Sequence, residues 1–225
     1  MASTAIVTGG SRGLGLALAR VLARLGWRVV IDARQLARLP VGLSGDVVAL
    51  AGDVADAEHR RALVEAAGGR IDLLVNNASE LGPSPLPSLA DYPPAELERV
   101  YDVNVLAPLA LTQLALPLMP AGGRIVNVTS DAAVEPYQGW GGYGSSKAAL
   151  EQVTRVLAAE HPELRIYAVD PGDMRTRMHQ DAFPGEDISD RPPPEESVPG
   201  LMALIEGDLP SGRYAARELT GVATP

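Results

Sequence analysis

The chain has 225 residues, enough for one domain or at most two, and its 46% hydrophobic and 21% charged residues are ordinary for a globular protein that buries a sizeable core. Nineteen Lys and Arg against 28 Asp and Glu leave a net charge of −9, which argues against nucleic acid and anionic membrane surfaces as partners, since both are bound through cationic side chains. The absence of Cys excludes disulfides and thiolate metal sites; His59, His161 and His179 are scattered, are expected at the surface, and suggest no metal site.

The first stretch, MASTAIVTGG, has no basic segment leading into an apolar one, so no signal peptide is expected. Within it STAIVTG (3–9) is a short β-branched run ending in Gly and reads as a buried strand. Apolar residues at helical spacing follow over 14–26, closing at Gly26. Strands are expected at 28–33 and 46–54, with only a stub or loop in QLARLPVGLSG between Arg34 and Asp46. A helix over about 55–68 leads to a strand at 72–76, then a Pro-rich loop (80–94) and one long apolar helix over about 95–119. Its stretch VLAPLALTQLALPLM is too short and too interrupted to span a bilayer, and a cytoplasmic protein is expected. A strand at 124–130, a helix from Tyr143 to about Glu160, a strand at 165–170 and a last strand at 212–216 complete the series. Alternating strand and helix predict a single α/β domain, a doubly wound parallel sheet (Rossmann fold) with helices on both faces. The Pro-rich acidic segment 179–199 reads either as a flap over a site, within a region near 174–200, or as surface disorder.

Three local patterns carry possible chemistry. TGGSRGLG (8–15) joins the first strand to the first helix; its glycines permit a tight turn and close backbone approach, and the helix N-terminus offers N–H groups to a phosphate. Its spacing departs from G-x-G-x-x-G, but its position is where such sheets bind dinucleotides. Asp53 in GDV either receives an adenine edge or caps the next helix. In YGSSK (143–147), Tyr143 and Lys147 sit four apart and share one helix face; alone, the ordinary reading is an exposed amphipathic pair.

Taken together, TGGSRGLG, GDV (52–54), NNAS (76–79), Asn104 in YDVNVLAP, Ser130 in IVNVTS, YGSSK and PGDMRT (171–176) make the sequence resemble a short-chain dehydrogenase/reductase over nearly its whole length, with Ser130 standing 13 residues before Tyr143. The resemblance implies hydride transfer between a nicotinamide and a carbonyl or secondary alcohol. Asn104, Ser130, Tyr143 and Lys147 would be catalytic. Tyr143 would exchange the proton, and Lys147, as a nearby ammonium, would lower the phenol's ordinary pKa of ~10 and bond the nicotinamide ribose. Ser130 would bond the substrate oxygen, and Asn104 would hold a water linking Lys147 to solvent. The cofactor would lie against Gly9, Ser11, Arg12, Gly13, Leu14 and Gly15 of the turn, against Asp53, Val54, Asn77 and Ala78, and against Tyr143 and Lys147. Pro171, Gly172, Met174 and Thr176 would close on its amide. Ser79 replaces the commoner Gly of NNAG, with little change expected.

At the end of the second strand, Ala33 stands where the family often has a ribose-binding Asp, and Arg34 follows. An Arg fork suits a 2′-phosphate, and Arg12 adds positive charge, so NADP is the expected cofactor. NAD is the alternative should a one-residue change of register bring Asp32 to the ribose. A small-molecule carbonyl or alcohol is the expected substrate. A homodimer or homotetramer is expected through the two long apolar helices, with Leu150 in the seam. The alternative from another class is a catalytically silent nucleotide-sensing regulator, which would not need the full set of Asn104, Ser130, Tyr143 and Lys147. An epimerase or dehydratase of the larger related type ranks lower, because few residues follow PGDMRT.

Overall fold

The computed structural model describes residues 2–35 and 44–219. Seven parallel strands form one sheet in the order β3-β2-β1-β4-β5-β6-β7. They are β1 (Thr4–Val7), β2 (Arg28–Ala33), β3 (Val47–Ala51), β4 (Leu73–Asn76), β5 (Arg124–Val128), β6 (Arg165–Asp170) and β7 (Gly212–Ala215). The helices are α1 (Gly13–Arg24), α2 (Ala57–Ala67), α3 (Pro94–Tyr101), α4 (Ala107–Ala115), α5 (Gly141–Glu160), α6 (Arg177–Ala182), α7 (Val198–Glu206) and α8 (Ala216–Leu219). The doubly wound α/β architecture is as the alternation predicts. The stretch between Arg34 and Asp46 falls largely on residues 36–43, outside the described residues.

The central strands are apolar on both sides because both sides are covered. Side chains alternate: Val7, Val29, Ile31, Val75, Val126 and Val169 pack with α1 and α7, whereas Ile6, Val30, Leu74, Ile125 and Ile166 pack with α2, α4 and α5. In register, Val7 pairs with Ile31 and Val75, and Val75 with Val126, so the carboxyl ends of β2, β1, β4 and β5 lie level. The strand order reverses between β1 and β4, and a crevice opens there, as it does in open sheets of this kind.

Two expectations need correction. The stretch 95–119 is not one regular helix: α3 passes into a π-helical turn, Asp102–Leu106, then α4 and a short 3₁₀ turn, Leu116–Leu118. The π turn, centred on Asn104, widens the helix by one residue. Segment 179–199 is not irregular throughout, since α6 covers its start and a 3₁₀ turn, Pro194–Ser197, leads directly into α7. Among the described residues, no helix is long and apolar enough to cross a membrane.

Candidate active site

A cleft of about 450 Å³ opens at the carboxyl ends of the strands. Its walls include Gly9, Ser11, Arg12, Gly13, Leu14, Arg34, Asp53, Val54, Asn77, Ala78, Ser130, Tyr143, Lys147, Pro171, Gly172, Met174 and Thr176. Residues more than 160 positions apart in sequence thus meet in one cavity. Gly15 and Asn104 stand behind this wall.

The glycine turn is built for close approach. Gly9 (φ 67°) and Gly13 (φ 55°) occupy the left-handed region that side chains avoid. A Cβ on Gly15 would sit 2.5 Å from Asn77 Nδ2 and 2.6 Å from the Gly9 carbonyl oxygen, so Gly15 serves packing rather than contact. Asn77 Nδ2 donates to the carbonyls of Thr8 (2.8 Å) and Gly9 (3.3 Å), and Thr8 Oγ1 accepts from the amides of Asn77 and Ala78 at 3.0 Å. The turn is therefore tied to the end of β4. Among the described residues, no side-chain cap closes the N-terminus of α1, whose first residues, Gly13 and Leu14, line the cleft.

Asp32 and its neighbours settle the register at the end of β2. Asp32 is buried; its carboxylate accepts from Gly9 N at 2.6 Å and lies 3.1 Å from His59 Nε2. It is consumed by the turn. His59 is correspondingly buried, not at the surface as expected. Arg34 projects into the cleft region and pairs with Glu80, Nη1 to Oε2 3.0 Å. Asp53 does not cap α2; Asp56 does, accepting from Glu58 N. Asp53 instead accepts from Ala55 N and pairs with Arg99.

Tyr143 and Lys147 lie on the first turns of α5, whose Gly142 and Gly144 have no room for a Cβ: one would meet the Tyr92 ring and the other the Ala132 carbonyl. Lys147 Nζ lies 5.5 Å from the centre of the Tyr143 ring and donates to the Val128 carbonyl at 2.8 Å. The expected depression of the phenol's pKa is absent from the protein itself. Burial pushes the Tyr143 hydroxyl well above its ordinary range, with the charges of Asp170 and Asp131 adding to the effect and hydrogen bonding with Ser79 and Ser130 opposing it. Burial likewise pushes the Lys147 amine down to about 7. Both groups lose water, and that outweighs the attraction between an ammonium and a phenolate. Ser130 Oγ donates to Asp131 Oδ1 at 2.9 Å and accepts from Ala132 N at 3.1 Å.

Asn104 is fully buried, and its side chain is not available to hold a water. Its Oδ1 accepts from Ser79 Oγ (3.0 Å) and Glu80 N (2.8 Å), and its Nδ2 donates to the Glu80 carbonyl (2.8 Å) and Ser146 Oγ (2.9 Å). All four bonding positions are taken. Asn104 thus staples the loop after β4 to α5, and Ser79 contributes a hydroxyl that Gly would lack.

Sequence reasoning missed Glu80, Arg99, Asp131 and Trp140, all of which line the cleft. Trp140 meets Tyr143 edge to face at 5.7 Å and lies 5.9 Å from Phe183. Its place three residues before Tyr143 was the one local signal available. Thr176 also caps α6, accepting from His179 N at 3.3 Å.

With this geometry in hand, comparison with known proteins is direct. The family model described as short chain dehydrogenase matches residues 3–187. A benzil reductase ((S)-benzoin forming) of Saccharomyces cerevisiae is 34% identical over 80% of this chain and 75% of its own length. An L-xylo-3-hexulose reductase of Hypocrea jecorina is 40% identical over 80% of this chain and 69% of its own. Among solved structures, a short chain dehydrogenase of Shigella flexneri, complexed with NADP, superposes with a TM-score of 0.84 at 29% identity, covering 96% of this chain and 97% of that one. The chain belongs to the short-chain dehydrogenase/reductase family.

Proposed function

We propose that the protein reduces a carbonyl compound with NADPH, Tyr143 acting as the proton donor. The observation that carries this is the meeting of Tyr143, Ser130 and Lys147 with the glycine turn in a single cleft. That cleft fits a dinucleotide. The turn leaves no space for a Cβ at Gly9 or Gly15, the first residues of α1 line it, and Arg34 stands at the end of β2 while Asp32 is engaged elsewhere. Arg34 and the NADP bound by the Shigella flexneri protein both support NADP over NAD. When bound, the nicotinamide supplies the hydride.

The chain's own residues handle the oxygen and the proton. A phenol kept protonated by burial is ready to donate to a carbonyl oxygen as negative charge develops there. Ser130 shares that oxygen once its hydroxyl turns from Asp131, and a protonated Lys147 offsets the charge left on the phenolate. Beside Tyr143 the wall is apolar: Leu81, Leu86, Trp140, Met178 and Phe183 cluster around it. Such a wall suits a carbonyl flanked by a flat apolar group, and the likeness to a benzil reductase points the same way.

Turnover of benzil, a 1,2-diketone, with NADPH and NADH in parallel tests the reading. NADPH oxidation by the parent and its loss in Tyr143→Phe, with cofactor binding retained, is the expected result. Binding of NADP without turnover across a panel of carbonyls would favour a nucleotide-sensing regulator.

A further inference from the structure

We propose that Glu80 is a cofactor-specificity residue, an internal anion that holds Arg34 and competes with the 2′-phosphate of NADP for it. The proposal rests on the reading of Arg34 as the phosphate's partner.

Arg34 follows β2 and Glu80 follows β4, and β1 lies between those strands. Neighbouring strands are about 4.8 Å apart, so the two columns are roughly 10 Å apart. The ion pair, Nη1 to Oε2 3.0 Å, therefore reaches across the end of β1, where the glycine turn begins, and both residues line the cleft. A phosphate brought to Arg34 meets a carboxylate already in its place.

The anchor of that carboxylate is fixed. Glu80's own amide and carbonyl are both bonded by the buried Asn104 side chain at 2.8 Å. Only the Glu80 side chain can swing away. The side chains are 53% (Arg34) and 25% (Glu80) exposed, so the pair is a weak one that a dianionic phosphate displaces. Across the same rim, Asp53 is matched by Arg99. Glu80 thus holds the Nη1 group of Arg34, and a phosphate that takes this group does so at Glu80's expense.

The consequence is selective. Removing the Glu80 charge frees Arg34 for the phosphate and leaves a ligand without that phosphate unaffected. Exposed pairs of this kind correspond to about two- to fivefold in Kd. The test is calorimetric titration of NADP and NAD into the parent, Glu80→Gln, Arg34→Ala and the double variant, with melting temperatures without ligand as a check on folding. The expected result is a two- to fivefold tightening of NADP in Glu80→Gln, an unchanged NAD affinity, and no effect of Glu80→Gln when Arg34 is already Ala. Weaker NADP binding in Glu80→Gln would mean that Glu80 props Arg34 for the phosphate, and would overturn the proposal. Equal tightening for both cofactors, no change, or tightening that persists without Arg34 would overturn it as well. Arg34→Ala alone reports on the underlying reading: equal weakening of NADP and NAD there removes the phosphate role of Arg34, whatever Glu80 does.

Discussion

Tyr143 and Lys147 share a helix face, yet burial rather than their mutual attraction governs both. The spacing that brings them together is local and legible in YGSSK, because four residues span one helical turn. Their environment was not legible: the Val128 carbonyl that Lys147 meets, the Ala132 and Trp140 side chains packed with Tyr143, and the charge of Asp170 come from separate parts of the chain. Lys147 is the chain's only lysine, so its titration can be followed without overlap. With ¹³C-labelled lysine and no cofactor, the single side-chain signal is expected to titrate near 7, and a midpoint near the ordinary ~10.4 would show that the amine keeps its water. The same depression makes stability depend on pH. Between about 7 and ~10.4 the unfolded chain holds a proton on Lys147 that the folded chain has lost, so stability rises with pH through that window. Urea unfolding at pH 7 and pH 9 should show this rise in the parent and a smaller one in Lys147→Met. For Tyr143→Phe, loss of the proposed proton donor predicts a fall in the proposed benzil reduction of about 10²–10⁴-fold with NADP affinity retained. Activity within threefold of the parent would exclude Tyr143 from that role.

At the scale of elements, the strand–helix alternation was readable because each buried strand is a short apolar run between turn residues, from AIV at 5–7 to IYAV at 166–169. The π turn at Asp102–Leu106 was not, since a widened turn has no residue signature and DVNVL continues an ordinary helical pattern. What holds it open is tertiary: Asn104 must face both the loop after β4 and Ser146 of α5. The pairing of Arg34 with Glu80 was equally invisible, since its partners lie 46 residues apart. Asn104→Ala should accordingly act on structure first. It leaves the Glu80 amide and carbonyl without their partners, at a cost of about 1–3 kcal/mol for such buried groups, and it loosens the loop that carries Ser79. Chemical denaturation checks the stability loss, and hydrogen exchange at Glu80 checks its location; a variant as stable as the parent would mean that solvent replaces Asn104.

For the whole molecule, the apolar surface of the π turn, α4 and α5 is the feature that a single chain does not use up. The expectation that Leu150 forms an intersubunit seam is wrong, because Leu150 is 1% exposed and already packed inside the chain. The error came from VLAPLALTQLALPLM and AALEQVTRVLAA, which are apolar on several faces, so sequence alone does not say which face meets the sheet. Lys147, Leu150, Glu151 and Thr154 turn inward. Leu106 (55% exposed), Leu114 (36%) and Val156 (45%) stay outside. Exposed leucines of the π turn and α4, with a valine of α5, suit a self-complementary contact, and we propose a twofold association through them. Light scattering at micromolar concentration should give a mass at least twice the chain's 23.6 kDa. Val156→Glu and Leu106→Glu should each shift that mass toward the single chain while leaving far-ultraviolet circular dichroism intact. Leu150→Glu should instead unfold the protein, since it places a charge among buried side chains with no partner. A parent of 23.6 kDa would end the proposal, and a parent multimer untouched by both surface charges would move the contact to another face.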